Sequence, residues 1–252
     1  MSRNNIPFIH NYCDRWCERC PLTSRCAVFE MNEDLPPEAA DPENEAFWQT
    51  LSDRFTESLQ LLEEGAARHG IVLEEPTPEE LVLHRQQEEE TGRRLEDTPL
   101  LTAARTYADA VELLFTESDL WERKAAALTR ETTLGIKTVE KGLRETELLA
   151  DCRHVLGWYQ HFIGVKFQRA LHGLWEDGDE ARALQSDANG SAKVALLAVE
   201  RSRLALTTLL SLVGEEDAVL DLLATLERIE KEGRNHFPDA GRFCRPGFDE
   251  PA

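Results

Sequence analysis

The 252-residue sequence contains no apolar run of the roughly 20 residues that a membrane-spanning helix needs. It also lacks G-x-S-x-G, H-E-x-x-H, the dinucleotide fingerprint and the P-loop, which are patterns of common catalytic and nucleotide-binding sites. The first residues, MSRNNIPF, follow the pattern of neither a secretory signal nor a transit peptide. From these absences we expect a cytoplasmic protein, and no known motif identifies a reaction that it could catalyse.

Positive charge is also scarce in this sequence. Lysine and arginine together number 28, against 48 aspartates and glutamates, which gives a formal net charge of −20. Such a chain is repelled by the phosphate backbone of nucleic acids and by anionic membrane surfaces. We therefore expect no nucleic acid and no membrane as a partner, and the charge favours a basic protein partner instead.

The cysteines are few but concentrated near the N-terminus. Four of the six lie in NYCDRWCERCPLTSRC with the spacing C-x3-C-x2-C-x5-C. Four thiolates can complete a tetrahedral zinc site or hold one iron–sulfur cluster. Disulfides, which need an oxidising compartment, and unligated thiols are the alternatives. We predict that Cys13, Cys17, Cys20 and Cys26 together bind a metal.

The spacing of these cysteines also bears on which metal they bind. Structural zinc sites usually combine two separated C-x2-C knuckles, whereas only Cys17 and Cys20 have that spacing here. Cys13-x3-Cys17-x2-Cys20 resembles the cluster motif of radical-SAM enzymes, and Cys17-x2-Cys20-Pro-x4-Cys26 resembles part of the auxiliary-cluster motif of SPASM domains. Both resemblances imply iron–sulfur ligation. The rest of the chain lacks the alternating strands and helices of a radical-SAM barrel, so these short resemblances imply no activity.

These observations give two competing functions. The one we favour is a metal-binding helical protein with a [4Fe–4S] cluster on the four cysteines, acting in electron transfer or redox sensing. The alternative is Zn²⁺ as a structural staple in a non-catalytic helical interaction module.

The rest of the sequence predicts an all-α fold, an antiparallel multi-helix bundle that carries the small N-terminal four-cysteine module. Residues 1–30 are assigned to the metal-binding module and residues 31–45 to an acidic, proline-rich linker. Residues 46–233 are assigned to the bundle. Residues 234–252 are assigned to an extended tail that crosses it.

Several helices have specific sequence signals. Apolar residues at helical spacing predict a first long helix: Phe47, Leu51, Phe55, Leu59 and Leu62. Thr77-Pro78-Glu79-Glu80 has the pattern of a capping box with proline at the first helical position. The proline-free, apolar stretch Val139–Trp175 predicts a central helix. Ser191, after Asp-Ala-Asn-Gly, is predicted to cap the next one.

A polar stripe runs along the predicted central helix. Its candidate metal ligands recur at steps of four, three and seven residues: Glu147, Asp151, His154 and His161. A carboxylate-x-x-His pair, here Asp151 and His154, is the arrangement that carboxylate-bridged di-iron bundles use in two of their helices. No other predicted helix supplies a second such pair, so we expect a polar seam. An oxidoreductase with a second metal site is the third interpretation.

Overall fold

The computed structural model describes residues 4–33, 35–72, 75–176, 178 and 180–249. The chain is 77% helix and contains no strand within these ranges, which confirms the predicted all-α class. The described ranges contain eight α-helices: α1 (Ala27–Glu33), α2 (Glu45–Arg68), α3 (Pro78–Glu96), α4 (Pro99–Thr116), α5 (Leu120–Thr133), α6 (Val139–Glu176), α7 (Asp187–Val213) and α8 (Asp217–His236). None of these described helices has both the length and the apolar character required to cross a membrane.

The chain divides into two compact units. The first comprises Met1–His10 and Trp16–Glu90, and the second comprises Asn11–Arg15 and Thr91–Ala252. The short segment Asn11–Arg15, here called the anchor segment, is thus grouped with the C-terminal helices although it comes from the N-terminal part of the sequence. The module and linker boundaries inferred from the sequence stay predictions.

The second unit is a helical bundle built around α6. The most extensive packing joins α6 to α7, while α4 packs on α6 and α8, and α5 packs on α6. α6 is 38 residues long and lies where the sequence predicted a central helix. Its core-facing residues Tyr159, Ile163, Phe167 and Leu171 follow one another at steps of four and are almost completely buried. Burying each such side chain contributes about 1.5–3 kcal/mol to folding, so this face dominates the stability of the unit.

The first unit contains the helix predicted from the N-terminal apolar stripe. α2 begins after Asn44, whose side chain accepts a hydrogen bond from the Ala46 N–H at 3.0 Å. No residue of α2 is buried, although the structure describes the whole helix. Phe55, Leu59 and Leu62 are 60–67% exposed. The amphipathic pattern therefore predicted the helix correctly, but its apolar face remains open within this unit.

The starts of α3 and α7 test two capping predictions. The capping box at α3 is confirmed, because the Thr77 N–H donates to Glu80 Oε2 at 2.8 Å and the Glu80 N–H donates to Thr77 Oγ1 at 3.2 Å. The prediction for α7 was wrong. The helix begins at Asp187, with the Asn189 N–H donating to Ser186 Oγ at 3.2 Å, and Ser191 is fully buried inside it.

The C-terminal segment lies against α7. Phe237 and Phe243 are buried there. Lys193 of α7 donates to the Phe243 carbonyl oxygen at 2.6 Å and forms an ion pair with Asp249 Oδ2 at 2.8 Å. Arg245 also donates to both oxygens of Asp249, at 2.9 and 2.8 Å. These two cations hold the pKa of Asp249 well below its ordinary range, with the Arg245 hydrogen bonds as the larger cause.

Replacing Asp249 with asparagine is expected to loosen this segment, because the neutral amide keeps the shape but loses both charge-assisted contacts. A depressed carboxyl pKa contributes stability above the ordinary pKa of about 4, and that contribution is lost as the pH falls. We therefore expect tryptic cleavage after Arg242 to accelerate severalfold, and the difference in melting temperature from wild type to shrink below about pH 4. Asp221→Asn, at an exposed position of α8, is the charge-matched control. A cleavage rate that rises equally in the control would refute the role of Asp249.

Candidate metal centre

Three of the four clustered cysteines lie on two short turns in the first unit. One-turn 3₁₀ helices span Cys17–Arg19 and Thr23–Arg25. The Cys20 N–H closes the first by donating to the Cys17 carbonyl oxygen at 3.1 Å, and the Cys26 N–H closes the second through Thr23 at the same distance. A 3₁₀ turn brings side chains three residues apart to the same side. The first 3₁₀ turn therefore brings Cys17 and Cys20 close together along the backbone.

Hydrogen bonds to backbone and sulfur acceptors hold this stretch in place. The Leu22 N–H donates to Cys20 Sγ at 3.4 Å, and the Ile6 N–H donates to the Arg25 carbonyl oxygen at 2.9 Å. The Arg19 guanidinium lies 3.9 Å from the centroid of the Trp16 ring. Amide hydrogen bonds to a sulfur stabilise its thiolate and tune the potential of a bound iron–sulfur cluster. The stretch thus presents Cys20 as a sulfur that already accepts such a bond.

The anchor segment carries the remaining clustered cysteine, Cys13, and is held to α6 and α7 within the second unit. The Tyr12 hydroxyl donates to Asp187 Oδ1 at 3.1 Å, and its ring lies 4.7 Å from the ring of Phe243. The close approach depends on Gly190, where a Cβ atom would lie only 2.4 Å from Tyr12 Cε1. Arg169 fixes the same aspartate through two hydrogen bonds of 2.9 and 2.7 Å.

The residue after Cys13 makes a second set of contacts. Asp14 Oδ2 accepts a hydrogen bond from the Tyr159 hydroxyl at 2.6 Å and is also paired with Arg201. Arg201 donates to the Tyr159 hydroxyl oxygen at 2.6 Å as well, and Trp158 Nε1–H donates to the Asp14 carbonyl oxygen at 3.0 Å. Tyr159 is almost fully buried, and this burial raises the pKa of its hydroxyl far above the ordinary value. It therefore stays a neutral donor to the carboxylate.

Cys13 itself lies in a half-buried, mixed electrostatic environment. Burial raises the pKa of its thiol, while the Arg15 N–H, the Arg15 charge and the Lys166 charge oppose that rise. Lys166 is 8% exposed and donates from Nζ to the Asn11 carbonyl oxygen at 3.2 Å. Burial in turn lowers the pKa of Lys166. Because burial is the larger cause, the pKa of the Cys13 thiol stays above its ordinary value, and the nearby cations only limit that rise.

The clustered cysteines are all half-buried, and no disulfide joins any of the six cysteines, all of which lie in described residues. Among the residues that the structure describes, no three His, Cys, Asp or Glu side chains form a group that could hold a metal ion. The ligand set of Cys13, Cys17, Cys20 and Cys26 therefore stays a prediction from the sequence.

The polar stripe of α6 lies on exposed positions. Glu147, Asp151, His154 and His161 are all exposed to solvent. The expected polar seam stays a prediction, and a second metal site on these residues stays the third interpretation.

Sequence reasoning missed the residues that hold the anchor segment. Asp14 and Tyr159 meet across a separation of 145 residues, and nothing in the spacing of either residue signals the other. The available signal was local: Tyr12 and Asp14 flank Cys13 and offer one hydroxyl donor and one acceptor in a short segment.

Comparisons of this chain with protein-family models, with curated proteins and with solved structures found no match.

Proposed function

We propose that the protein binds a metal through Cys13, Cys17, Cys20 and Cys26, with a [4Fe–4S] cluster favoured over Zn²⁺. The observation that carries the proposal is the sequence C-x3-C-x2-C-P-x4-C, in which thiols are dense and the zinc-type double knuckle is missing. The first 3₁₀ turn and the amide hydrogen bond to Cys20 support it, because the turn brings Cys17 and Cys20 close together along the backbone and the amide stabilises the Cys20 thiolate.

A role in electron transfer or redox sensing follows from the same ligand set. Four cysteines can occupy every external position of a [4Fe–4S] cluster, so no iron is left open for a substrate. Such a cluster changes its oxidation state without changing its ligands. The half-burial of the thiols supports electron exchange through the surface, because the cluster would lie close to solvent. The net charge of −20 favours a basic redox partner.

Replacing Cys20 with alanine is expected to remove most of the bound metal, because a site of four ligands loses one sulfur and its amide hydrogen bond. Full-length protein purified without oxygen should be brown and contain about four irons per chain if a [4Fe–4S] cluster is bound. Zinc would instead give a colourless protein with sulfur–metal distances of about 2.3 Å by X-ray absorption. Cys244→Ala, outside the cluster, should keep the metal content of wild type. Protein that carries neither iron nor zinc would refute the proposal.

A further inference from the structure

A cleft of about 340 Å³ lies in the second unit, where the end of α3 meets α4 and α6. This volume falls at the lower end of the roughly 300–1,000 Å³ of small-molecule sites. Its floor is apolar, since the lining residues Leu95, Leu101, Ala104 and Ala108 are all less than 9% exposed. The cleft shares no lining residue with the cysteine cluster.

Gln160 of α6 also lines the cleft and is 6% exposed. Its Nε2 donates to the Ala108 carbonyl oxygen at 3.0 Å and to Glu112 Oε2 at 3.2 Å. Both partners are acceptors, so the orientation of the amide is fixed and both of its N–H groups are used. Its carbonyl oxygen, Oε1, receives no donor from the residues that the structure describes. The side chain therefore keeps one acceptor for a molecule in the cleft.

Gly164 and Ala104 both line the cleft and lie next to each other, since a Cβ atom at Gly164 would be in ordinary van der Waals contact with the Ala104 Cβ at 3.7 Å. Besides Gln160, the polar groups of the lining are the Glu96 carboxylate, the Arg105 guanidinium, which donates to the Glu96 carbonyl oxygen, the His161 imidazole and the Gln168 amide. One charge of each sign gives no preference for an ionised ligand, and the overall charge of −20 disfavours an anion.

We propose that this cleft binds a neutral, mostly apolar small molecule that carries one O–H or N–H donor. The apolar body lies on Leu95, Leu101 and Ala104, and the donor bonds to Gln160 Oε1. This acceptor supplies specificity, because a ligand without a donor displaces solvent from that oxygen and leaves it unpaired. This site is separate from the proposed metal centre and does not depend on it.

The test uses 2-naphthol and its methyl ether, 2-methoxynaphthalene, which have the same aromatic body and differ in the donor. Binding to full-length protein is measured near neutral pH by ligand-observed NMR titration. We expect 2-naphthol to bind about tenfold more tightly than the ether, since one hydrogen bond to an otherwise unpaired acceptor accounts for a factor of this size. Equal affinities, or no binding of either probe, would overturn the proposal.

Three variants locate the binding. Gly164→Leu should fill the cleft and abolish binding of both probes, whereas Gly157→Leu, on the same helix outside the cleft, should leave both affinities unchanged. Gln160→Met keeps the length of the side chain and removes the acceptor, so the tenfold preference for 2-naphthol should vanish while the ether still binds. Circular dichroism verifies the helical content of each variant. Persistent binding in a folded Gly164→Leu protein, or an unchanged preference in Gln160→Met, would exclude this cleft.

Discussion

Replacing Phe167 with alanine is expected to lower the free energy of unfolding by about 3–5 kcal/mol. Phe167 is fully buried on α6, the helix around which the second unit is built. Its ring lies against Gly233 of α8, where a Cβ atom would approach Phe167 Cζ to 2.6 Å and Leu196 Cδ2 to 3.4 Å. A truncated side chain leaves a cavity at this junction, because helices on either side cannot collapse into it.

The contact between Gly233 and the Phe167 ring also determines the effect that we expect from Gly233→Ala. Alanine favours a helix interior by about 1 kcal/mol over glycine, but its methyl group overlaps the Phe167 ring. Overpacking of this kind costs about 1–3 kcal/mol, so we expect a net loss of stability. Denaturant unfolding followed by circular dichroism gives both values.

Two controls separate the overlap of the new methyl group with the Phe167 ring from the change in helix propensity. Gly157→Ala on α6 places its Cβ at an ordinary 3.5 Å from Phe115 and should raise the stability. Leucine at position 167 lacks the ring atoms that overlap the new methyl group. Combining Phe167→Leu with Gly233→Ala should therefore cost less than the sum of the single changes. Additive costs would show that Gly233 and Phe167 do not constrain each other.

The sequence predicted the elements whose signals are local. The long apolar stretch of α6 and the Thr77–Glu80 capping box both appear in the structure where periodicity and side-chain chemistry placed them. Periodicity alone did not predict burial, however. The stripe on α2 has the spacing of a core-facing helix, yet Phe55 and Leu62 are exposed. A helix forms the same face whether or not another element covers it, so the pattern cannot show what the face contacts.

The start of α7 shows why features that depend on contacts between distant residues could not be predicted from the sequence. Asp187-Ala-Asn-Gly reads as a turn before a Ser191 cap, because these residue types are common in turns. In the structure the same residues form the first helical turn, and Gly190 is where the anchor segment approaches α7. Gly190 is therefore needed for close packing against the anchor segment and not for a turn. That use depends on Tyr12, which lies 175 residues from the aspartate to which it bonds.

Gly190 is also the position where one added methyl group should detach the anchor segment. A Cβ atom there would lie 2.4 and 2.6 Å from atoms of the Tyr12 ring and 2.7 Å from Phe243 Cζ. Neither ring can move without losing the tilted contact between them, which is worth about 0.5–1.5 kcal/mol beyond its buried area. The helix backbone cannot retreat either, since Ala188 and Ala192 beside Gly190 are buried.

We expect Gly190→Ala to lower the free energy of unfolding by about 1–3 kcal/mol, because the overlap with two rings outweighs the gain in helix propensity. Tryptic cleavage after Arg15, located by mass spectrometry, should accelerate severalfold as Tyr12 leaves its site. If the proposed metal centre exists, the metal should also dissociate faster, because the anchor segment carries Cys13.

The cleavage rate reports whether the anchor segment is attached, and the rate of metal loss reports whether Cys13 is a ligand. Faster cleavage with unchanged metal retention would support the role of Gly190 in holding the anchor segment but would show that Cys13 is not a metal ligand. An unchanged cleavage rate would show that the contact of Tyr12 with Gly190 does not hold the anchor segment. Tyr12→Ala alone should already accelerate the cleavage, and adding Gly190→Ala to it should cost less than Gly190→Ala does in wild type, since one overlapping ring is gone. Gly157→Ala again supplies the matched helical control, because it adds a methyl group in ordinary contact and leaves the anchor segment untouched.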